Sequence, residues 1–556
     1  MPDLHGVSDV RADAIARLTA RDTPFEIVDE QVRGITMPVL RNRHRSLNAL
    51  LAESARYGDA EYLVCGDLRL TFTEHLARVA SLAYELRTRY GVEQGDRVAI
   101  LSANNAEWIM SFWAATALGA ITVGMNSLWS AREIRYGMEL AAPKVVIADR
   151  RRRDLLGSVD AAVLSIEDDV PVMGSAHPGA DLPEVQIDED DPAVILFTSG
   201  TTGRAKGATH SHRNMVAAVD FHRFNDALAA ELGQAPNARR FLLATPLFHI
   251  AALHNLAVPR LAFGDTAVIS TGRFDIECVL RLIERERLTN WGAVPTMLTR
   301  LLEHGDLSRY DLSSLRAVSI SSAPSSEAFR ARLREILPAA ERSLGTSYGL
   351  TESSSAATLA TVADLAGRPD TVGRPVLTTR VEIRDEAGDP VEDGVEGEIY
   401  LRGPLIMLGY WNNPEATAAA IDESGWMRTG DLGTMEDGYL RISSRRSDLI
   451  LRGGENVYPA EVEAVLGEHP AVRECIVLGV DHDEYGEEVC AVVVVSPGEG
   501  LTESEVSGFV AERIARYKVP TRWIFRTEDL PRNATGKVKQ VDVRAELPRW
   551  TVIESN

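Results

Sequence analysis

Cysteine is scarce in this chain of 556 residues. The four present, Cys65, Cys278, Cys475 and Cys490, form no C-x-x-C pair and have no histidine pattern beside them. Such spacing fits reduced thiols in a cytoplasm better than a disulfide frame or a zinc site. Positive charge is short as well: 59 Lys and Arg against 81 Asp and Glu leave a net charge of −22. A nucleic-acid or anionic-membrane partner needs a basic face, so neither is expected. A local pocket of Arg and Lys can still serve a nucleotide. Long apolar runs are missing too. One uncharged stretch, Trp108 to Ala131, is broken by Ser111, Thr116, Gly119, Thr122, Gly124 and Asn126, which predicts a buried helix turning into a buried strand rather than a membrane span. The start, Met1-Pro2-Asp3-Leu4-His5, lacks a basic segment before an apolar core, so no secretory signal is expected. The end, Glu554-Ser555-Asn556, is not a peroxisomal address.

What is present is an ordinary globular composition, 45% hydrophobic and 25% charged, in a length that calls for about three or four packing units. The most informative stretch is Thr198-Ser199-Gly200-Thr201-Thr202-Gly203-Arg204-Ala205-Lys206-Gly207. It follows an apolar run, Ala193 to Phe197, that reads as a buried strand. It holds three glycines, four hydroxyl side chains, an arginine and a lysine, with no acidic group. A loop of that composition can lay backbone N–H groups, hydroxyls and a cation around a polyphosphate. Its spacing, Gly-x-x-Gly-x-x-Lys, is not that of the P-loop.

Along the chain, residues 1 to about 45 read as an arginine-rich helical lead-in. From about 46 to 150, helical segments alternate with short apolar runs such as Arg97 to Leu101, the pattern of a parallel sheet with helices on its faces. Residues 151 to 192 read as loop-rich. Beyond the glycine stretch come Thr245-Pro246-Leu247-Phe248-His249, a helix with Ile276, Val279, Leu280 and Ile283 on one face, and a buried strand at Ala317 to Ile320. Between about 370 and 444 short alternating strands with frequent glycine suggest a small antiparallel barrel. Past Ser444-Arg445-Arg446-Ser447-Asp448 a compact unit has its own core, with Pro459 opening a helix and Thr502 to Glu505 forming a capping box.

Five motifs stand in order: Thr198 to Gly207, Tyr348-Gly349-Leu350-Thr351-Glu352, Thr429-Gly430-Asp431, Gly453-Gly454-Glu455-Asn456-Val457-Tyr458-Pro459, and Asn533-Ala534-Thr535-Gly536-Lys537. With these the chain, from about residue 46 to 540, resembles the adenylate-forming superfamily, in its acyl-CoA synthetase branch. The resemblance implies an α/β fold. It implies that residues 1–444 form a large N-terminal domain of two parallel-sheet subdomains plus a small distorted β-barrel. A hinge follows at 445–448, then a small mobile α+β domain at 449–556. It implies ATP, Mg²⁺ and CoA as reactants and an acyl-AMP intermediate.

By resemblance, Thr198, Ser199, Gly200, Thr201, Thr202, Gly203 and Lys206 embrace the β- and γ-phosphates. Ser322, Ala323, Pro324, Tyr348 and Gly349 border the nucleotide, with Tyr348 packed on adenine. Thr351 contacts the α-phosphate and Glu352 helps hold Mg²⁺. Asp431 accepts hydrogen bonds from the ribose hydroxyls, with Arg445 nearby. Lys537 is expected to be the catalytic lysine bridging carboxylate and α-phosphate. Gly453 and Gly454 line a pantetheine tunnel, where a Cβ would narrow the wall. His249, Ser321 and Gly349 border the acyl pocket. The small domain is expected to swing about Ser447 between two poses.

Several positions depart from the family pattern. Ser447 stands where Asp or Lys is common, Ser444 and Ser321-Ser322 where glycine is common, and Ala205 where proline is common. Gly349 occupies the place where acetate-specific relatives carry tryptophan, which implies room for a larger, mostly apolar acid. The expected reaction is ATP-dependent ligation of such an acid to CoA. The serine substitutions keep a second version open, joining a preformed acyl-AMP to CoA, and a third loads a carrier protein. Partners are thus small molecules, with a homodimer left open.

Overall fold

Helix Ala106–Ala117 shows how the uncharged stretch is used. Asn105 caps it, its side chain accepting from the Trp108 N–H, and all of its residues except Glu107 are buried. A helix apolar all round has to be covered on every side. Here Trp108, Phe112 and Trp113 share one core with Val98 and Ile147 of one sheet and Leu63, Leu243 and Ala267 of another. The helix continues into strand Ile121–Gly124, which is buried throughout. Two of the chain's sheets thus have helices packed between them. The computed structural model describes residues 4–198, 205–233, 239–320, 327–445, 448–452, 455–482, 486–514, 516–532, 538–547 and 553–554.

The first sheet has seven strands. Strands Pro192–Thr198, Ile121–Gly124, Arg97–Leu101, Val145–Ala148 and Ala162–Ser165 run parallel in that order. Lys206–Ser211 and Gly409–Tyr410 continue the sheet antiparallel beyond Pro192–Thr198. The second has six strands, parallel from Ala317–Ile320 through Asn290–Ala293, Arg240–Leu243 and Thr266–Ile269 to Glu61–Cys65. Helix Ile276–Glu286 covers it with Val279, Leu280 and Ile283.

A third sheet of seven antiparallel strands is built from 346 to 445, so it takes in Thr346–Tyr348 and Thr358–Ala360 ahead of the glycine-rich stretch read from about 370. The chain ends in a separate sheet in which Val472–His482, Gly486–Val495 and Arg522–Arg526 pair, backed by helices Pro459–Leu466 and Glu503–Ala511. The Thr502–Glu505 capping box is formed as read.

Two stretches differ from their reading. Helix Leu4–Leu18 gives way to a hairpin, Ile27–Val32 with Ile35–Leu40, instead of a helical lead-in to 45. Its two-residue turn puts both Arg33 (φ 51°) and Gly34 (φ 82°) in the left-handed region, the geometry that matches strand twist. The segment read as loop-rich holds strand Ala162–Ser165 and helix Asp169–Ala176, too short to show a period. Among the described residues no helix is long and apolar enough to cross a membrane.

Candidate active site

The hairpin Pro192–Thr198 / Lys206–Ser211 carries the glycine stretch at its tip. Thr198 faces Lys206 in register, and Gly207 faces Phe197. Ala193 to Phe197 are buried, which anchors the hairpin in the sheet. Gly207 is needed for close approach, because a Cβ there would lie 2.8 Å from Ile195 Cγ2. A strand, Lys206–Ser211, and not a helix follows the stretch, unlike the strand–loop–helix order of a P-loop.

On the outer side of this hairpin lies Gly409–Tyr410, with Tyr410 paired to Ala208. The Lys206 ammonium sits 4.8 Å over the Tyr410 ring. The Tyr410 hydroxyl donates to Glu352 Oε1 at 2.9 Å. Burial and the neighbouring carboxylate push the Tyr410 hydroxyl pKa well up, so it keeps its proton and acts as donor. The Glu352 main chain is held as well, its carbonyl accepting from the Met407 N–H at 2.9 Å. Cation, phenol and carboxylate therefore stand in one row, brought together from three distant segments.

Glu352 belongs to a turn that starts at Tyr348. The Tyr348 hydroxyl donates to Asp431 Oδ2 at 2.6 Å, and both residues are buried. Asp431 lies on strand Met427–Glu436, where its N–H is accepted by Thr429 Oγ1 at 3.1 Å and the Thr429 hydroxyl donates to the Ile399 carbonyl at 2.8 Å. Across the neighbouring strand the main chain of Arg445 is paired with Asp431. Between Tyr348 and the turn, Gly349 packs so tightly that a Cβ would come within 2.4 Å of the Ser355 carbonyl oxygen. That contact gives glycine a reason at 349 independent of any acyl pocket.

His249 caps the short helix Ile250–Ala252 by position, and its ring lies 4.5 Å from that of Phe248. Burial pushes its pKa down to about 4, so the ring is neutral, and its Nε2 is buried without a hydrogen-bond partner among the described residues. The preceding segment is pinned by Asn104, whose amide donates to the Thr245 carbonyl at 2.8 Å and accepts from the Leu247 N–H at 2.9 Å.

A family model described as AMP-binding enzyme matches residues 50–411, and one described as AMP-binding enzyme C-terminal domain matches 461–537. The chain belongs to the AMP-binding enzyme family. It is 34% identical over 491 residues to long-chain-fatty-acid–CoA ligase FadD13 of Mycobacterium tuberculosis, covering 86% of this chain and 93% of that one. Feruloyl-CoA synthase of an Amycolatopsis species is also 34% identical, over 490 residues, with 86% and 94% covered. Among solved structures, o-succinylbenzoate CoA synthetase of Bacillus subtilis with its acyl-adenylate superposes with a TM-score of 0.78 at 29% identity, covering 90% of this chain and 98% of the other. The same enzyme with ATP and magnesium ion gives 0.77 at 29%, covering 89% and 99%.

Within this AMP-binding enzyme the described residues bring together Thr198, Lys206, Tyr348, Gly349, Thr351, Glu352 and Asp431, with His249 on the neighbouring helix. Of Arg445 only the main-chain position is described. The positions Ser199, Gly200, Thr201, Thr202, Gly203, Ser321, Ser322, Ala323, Pro324, Ser447, Gly453, Gly454 and Lys537 lie outside the described residues. Tyr410 is the site residue that the sequence reading missed. Its cue was an aromatic run, Gly409-Tyr410-Trp411, next to a turn, which by itself reads as core. The donor set suits Mg²⁺: Glu352 offers a hard carboxylate whose Oε1 is fixed by Tyr410, while Oε2 makes no hydrogen bond among the described residues. Magnesium is commonly held by one or two carboxylates plus substrate phosphates, and no cluster of three or more such ligands occurs among the described residues.

Proposed function

We propose that this AMP-binding enzyme is an ATP-dependent carboxylic acid–CoA ligase. The carboxylate first attacks the α-phosphate of ATP, forming acyl-AMP and releasing pyrophosphate; the CoA thiol then takes the acyl group and AMP leaves. The observation that carries the reading is the convergence of Lys206, Tyr410 and Glu352 with the Tyr348–Asp431 pair on a single turn, beside the tip of the glycine hairpin. A carboxylate and ATP repel each other, and charge builds on the α-phosphate oxygens as the carboxylate attacks. Catalysis therefore rests on holding the two in line and placing positive charge and donors at those oxygens.

Each residue takes one part of that task. Lys206 and the hydroxyls of the hairpin tip hold the outer phosphates. Thr351 donates toward the α-phosphate. Glu352, Tyr410 fixing its orientation, is the protein ligand for Mg²⁺, which when bound neutralises phosphate charge. Asp431 accepts from the ribose hydroxyls, with Tyr348 holding one of its oxygens and bordering the adenine. Lys537, arriving with the small C-terminal domain, spans carboxylate and α-phosphate. Rotation of that domain about residues 445–448 then brings Gly453 and Gly454 to the acyl-AMP and opens the path for the thiol, with residues 1–444 as the stationary part.

The acid is large and mostly apolar. Support comes from relatives whose names specify a long-chain fatty acid and ferulate. Relatives named as acid–CoA ligases favour this reading over the version that only consumes a preformed acyl-AMP. The test is a panel of acids of increasing size with ATP, Mg²⁺ and CoA, scored by thioester mass, with synthetic acyl-AMP plus CoA in parallel. Thioester from acid and ATP supports the ligase. Thioester from acyl-AMP alone would leave only the second half-reaction.

A further inference from the structure

Ser353-Ser354-Ser355 follow Glu352 directly and are buried. Ser354 is bent to a positive φ of 57°, where a residue with a Cβ is strained. Something has to hold it there. Two histidines do so from opposite segments. His210, on strand Lys206–Ser211, meets the Ser354 hydroxyl through Nδ1 at 2.7 Å. His254 meets the Ser354 carbonyl oxygen through Nδ1 at 3.0 Å. The two rings stand perpendicular, 4.8 Å between centroids, and both are wholly buried.

A carbonyl oxygen only accepts, so the proton of the His254 ring sits on Nδ1. Burial pushes His254 down to about 3 and His210 well below the usual histidine range, so both rings are neutral. Their Nε2 atoms have no partner among the described residues. His254 lies in a π-helical turn, Leu253–Ala257, that begins four residues beyond His249. The next residue, Asn255, also reaches the serine turn, its Oδ1 accepting from the Ser355 hydroxyl. Such turns insert an extra residue into a helix and are frequent at functional sites. Here the insertion turns two successive side chains toward the same loop. On the other side, His210 and Lys206 are four residues apart on one strand and so share a face.

We propose that His210 and His254 are positioning residues that clamp Ser354 from both sides and thereby fix where Glu352 presents its carboxylate for Mg²⁺. The clamp ties the helix that carries His249, on the acyl side, to the nucleotide side of the site. This inference rests on the adenylation reading above. It assigns the pair to the first half-reaction, because only that step places a metal and a triphosphate at the turn.

The test uses His254→Phe, which keeps a ring and loses the donor, and His254→Asn, whose amide can still donate to the carbonyl. Ser354→Ala removes only the hydroxyl that His210 engages, and guards against a His254 variant that does not fold. Thermal midpoints, the Mg²⁺ dependence of ATP binding by calorimetry, and both half-reactions are measured. A buried donor–acceptor pair left half-made predicts about a tenfold loss of adenylation in His254→Phe. The Mg²⁺ midpoint for ATP binding should rise several-fold. The rate from acyl-AMP plus CoA should stay within about threefold of the parent. His254→Asn should recover most of the loss, and Ser354→Ala should fall between. Unchanged Mg²⁺ dependence in all three, or equal loss in both half-reactions and in both His254 variants, overturns the clamp. A parent that binds Mg·ATP yet makes no acyl-AMP refutes the ligase reading instead, and the binding titration still decides the clamp.

Discussion

Removing one oxygen at Tyr410 tests whether the row Lys206–Tyr410–Glu352 does what its geometry implies. Tyr410→Phe deletes the hydroxyl that donates to Glu352 Oε1 at 2.9 Å and leaves the ring beneath the Lys206 ammonium, 4.8 Å away. A hydrogen bond to a charged group is worth about 1.5–3 kcal/mol. Tyr410 is half-buried rather than fully buried, so the lower end applies. That corresponds to about tenfold in the adenylation rate, since each 1.36 kcal/mol is tenfold. Tyr410→Leu removes the ring as well. It should add the cation–π contribution, about 0.5–1 kcal/mol at an accessible site, and appear as a higher KM for ATP. The assay is acid-dependent ATP–pyrophosphate exchange across a Mg²⁺ titration, with acyl-AMP plus CoA as the control half-reaction. The phenol keeps its proton at every working pH. Its removal should therefore lower the rate without moving the pH profile. A Tyr410→Phe enzyme with parental exchange rate and parental Mg²⁺ requirement would refute the row as a positioning device.

Three further outcomes are expected. Asp431→Ala should raise KM for ATP and weaken binding of acyl-AMP by about tenfold each, because both ligands carry the ribose, and substrate titrations of the two half-reactions read this directly. Gly349→Ala should lower the thermal midpoint, since its Cβ would come within 2.4 Å of the Ser355 carbonyl; overpacking of this kind costs about 1–3 kcal/mol, and a melt by circular dichroism shows it. Lys537→Ala should lose adenylation by at least about a hundredfold while keeping thioester formation from acyl-AMP, and equal activity in both halves would remove its role.

The parts of this fold that follow a local rule could be read in advance. Ala193 to Phe197 as a buried strand, Ile276–Glu286 as an amphipathic helix and the Thr502–Glu505 capping box each depend on neighbours within a few residues, and each is formed. The hairpin Ile27–Leu40 escaped because its turn, Arg33-Gly34, lacks the Asn-Gly signature and its strands mix polar and apolar residues without clean alternation. In the site, the motif glycines and Asp431 were legible as motif members, but their partners were not. Tyr348 meets Asp431 across 83 residues, Tyr410 meets Glu352 across 58, and His210 meets Ser354 across 144. No periodicity links positions so far apart, and a histidine beside a strand reads as ordinary core until its partner is seen. The π-helical turn at Leu253–Ala257 is hidden for a similar reason, because one inserted residue leaves no compositional mark.

Transfer of a labelled oxygen tests the central claim most directly. An acid that yields thioester in the panel, carrying ¹⁸O in both carboxyl positions, is incubated with the enzyme, ATP, Mg²⁺ and CoA, and the phosphorus products are weighed. Attack of the carboxylate on the α-phosphate predicts one ¹⁸O in AMP and none in pyrophosphate. Label in orthophosphate or pyrophosphate, or AMP formed without label, would contradict an acyl-adenylate held at this turn.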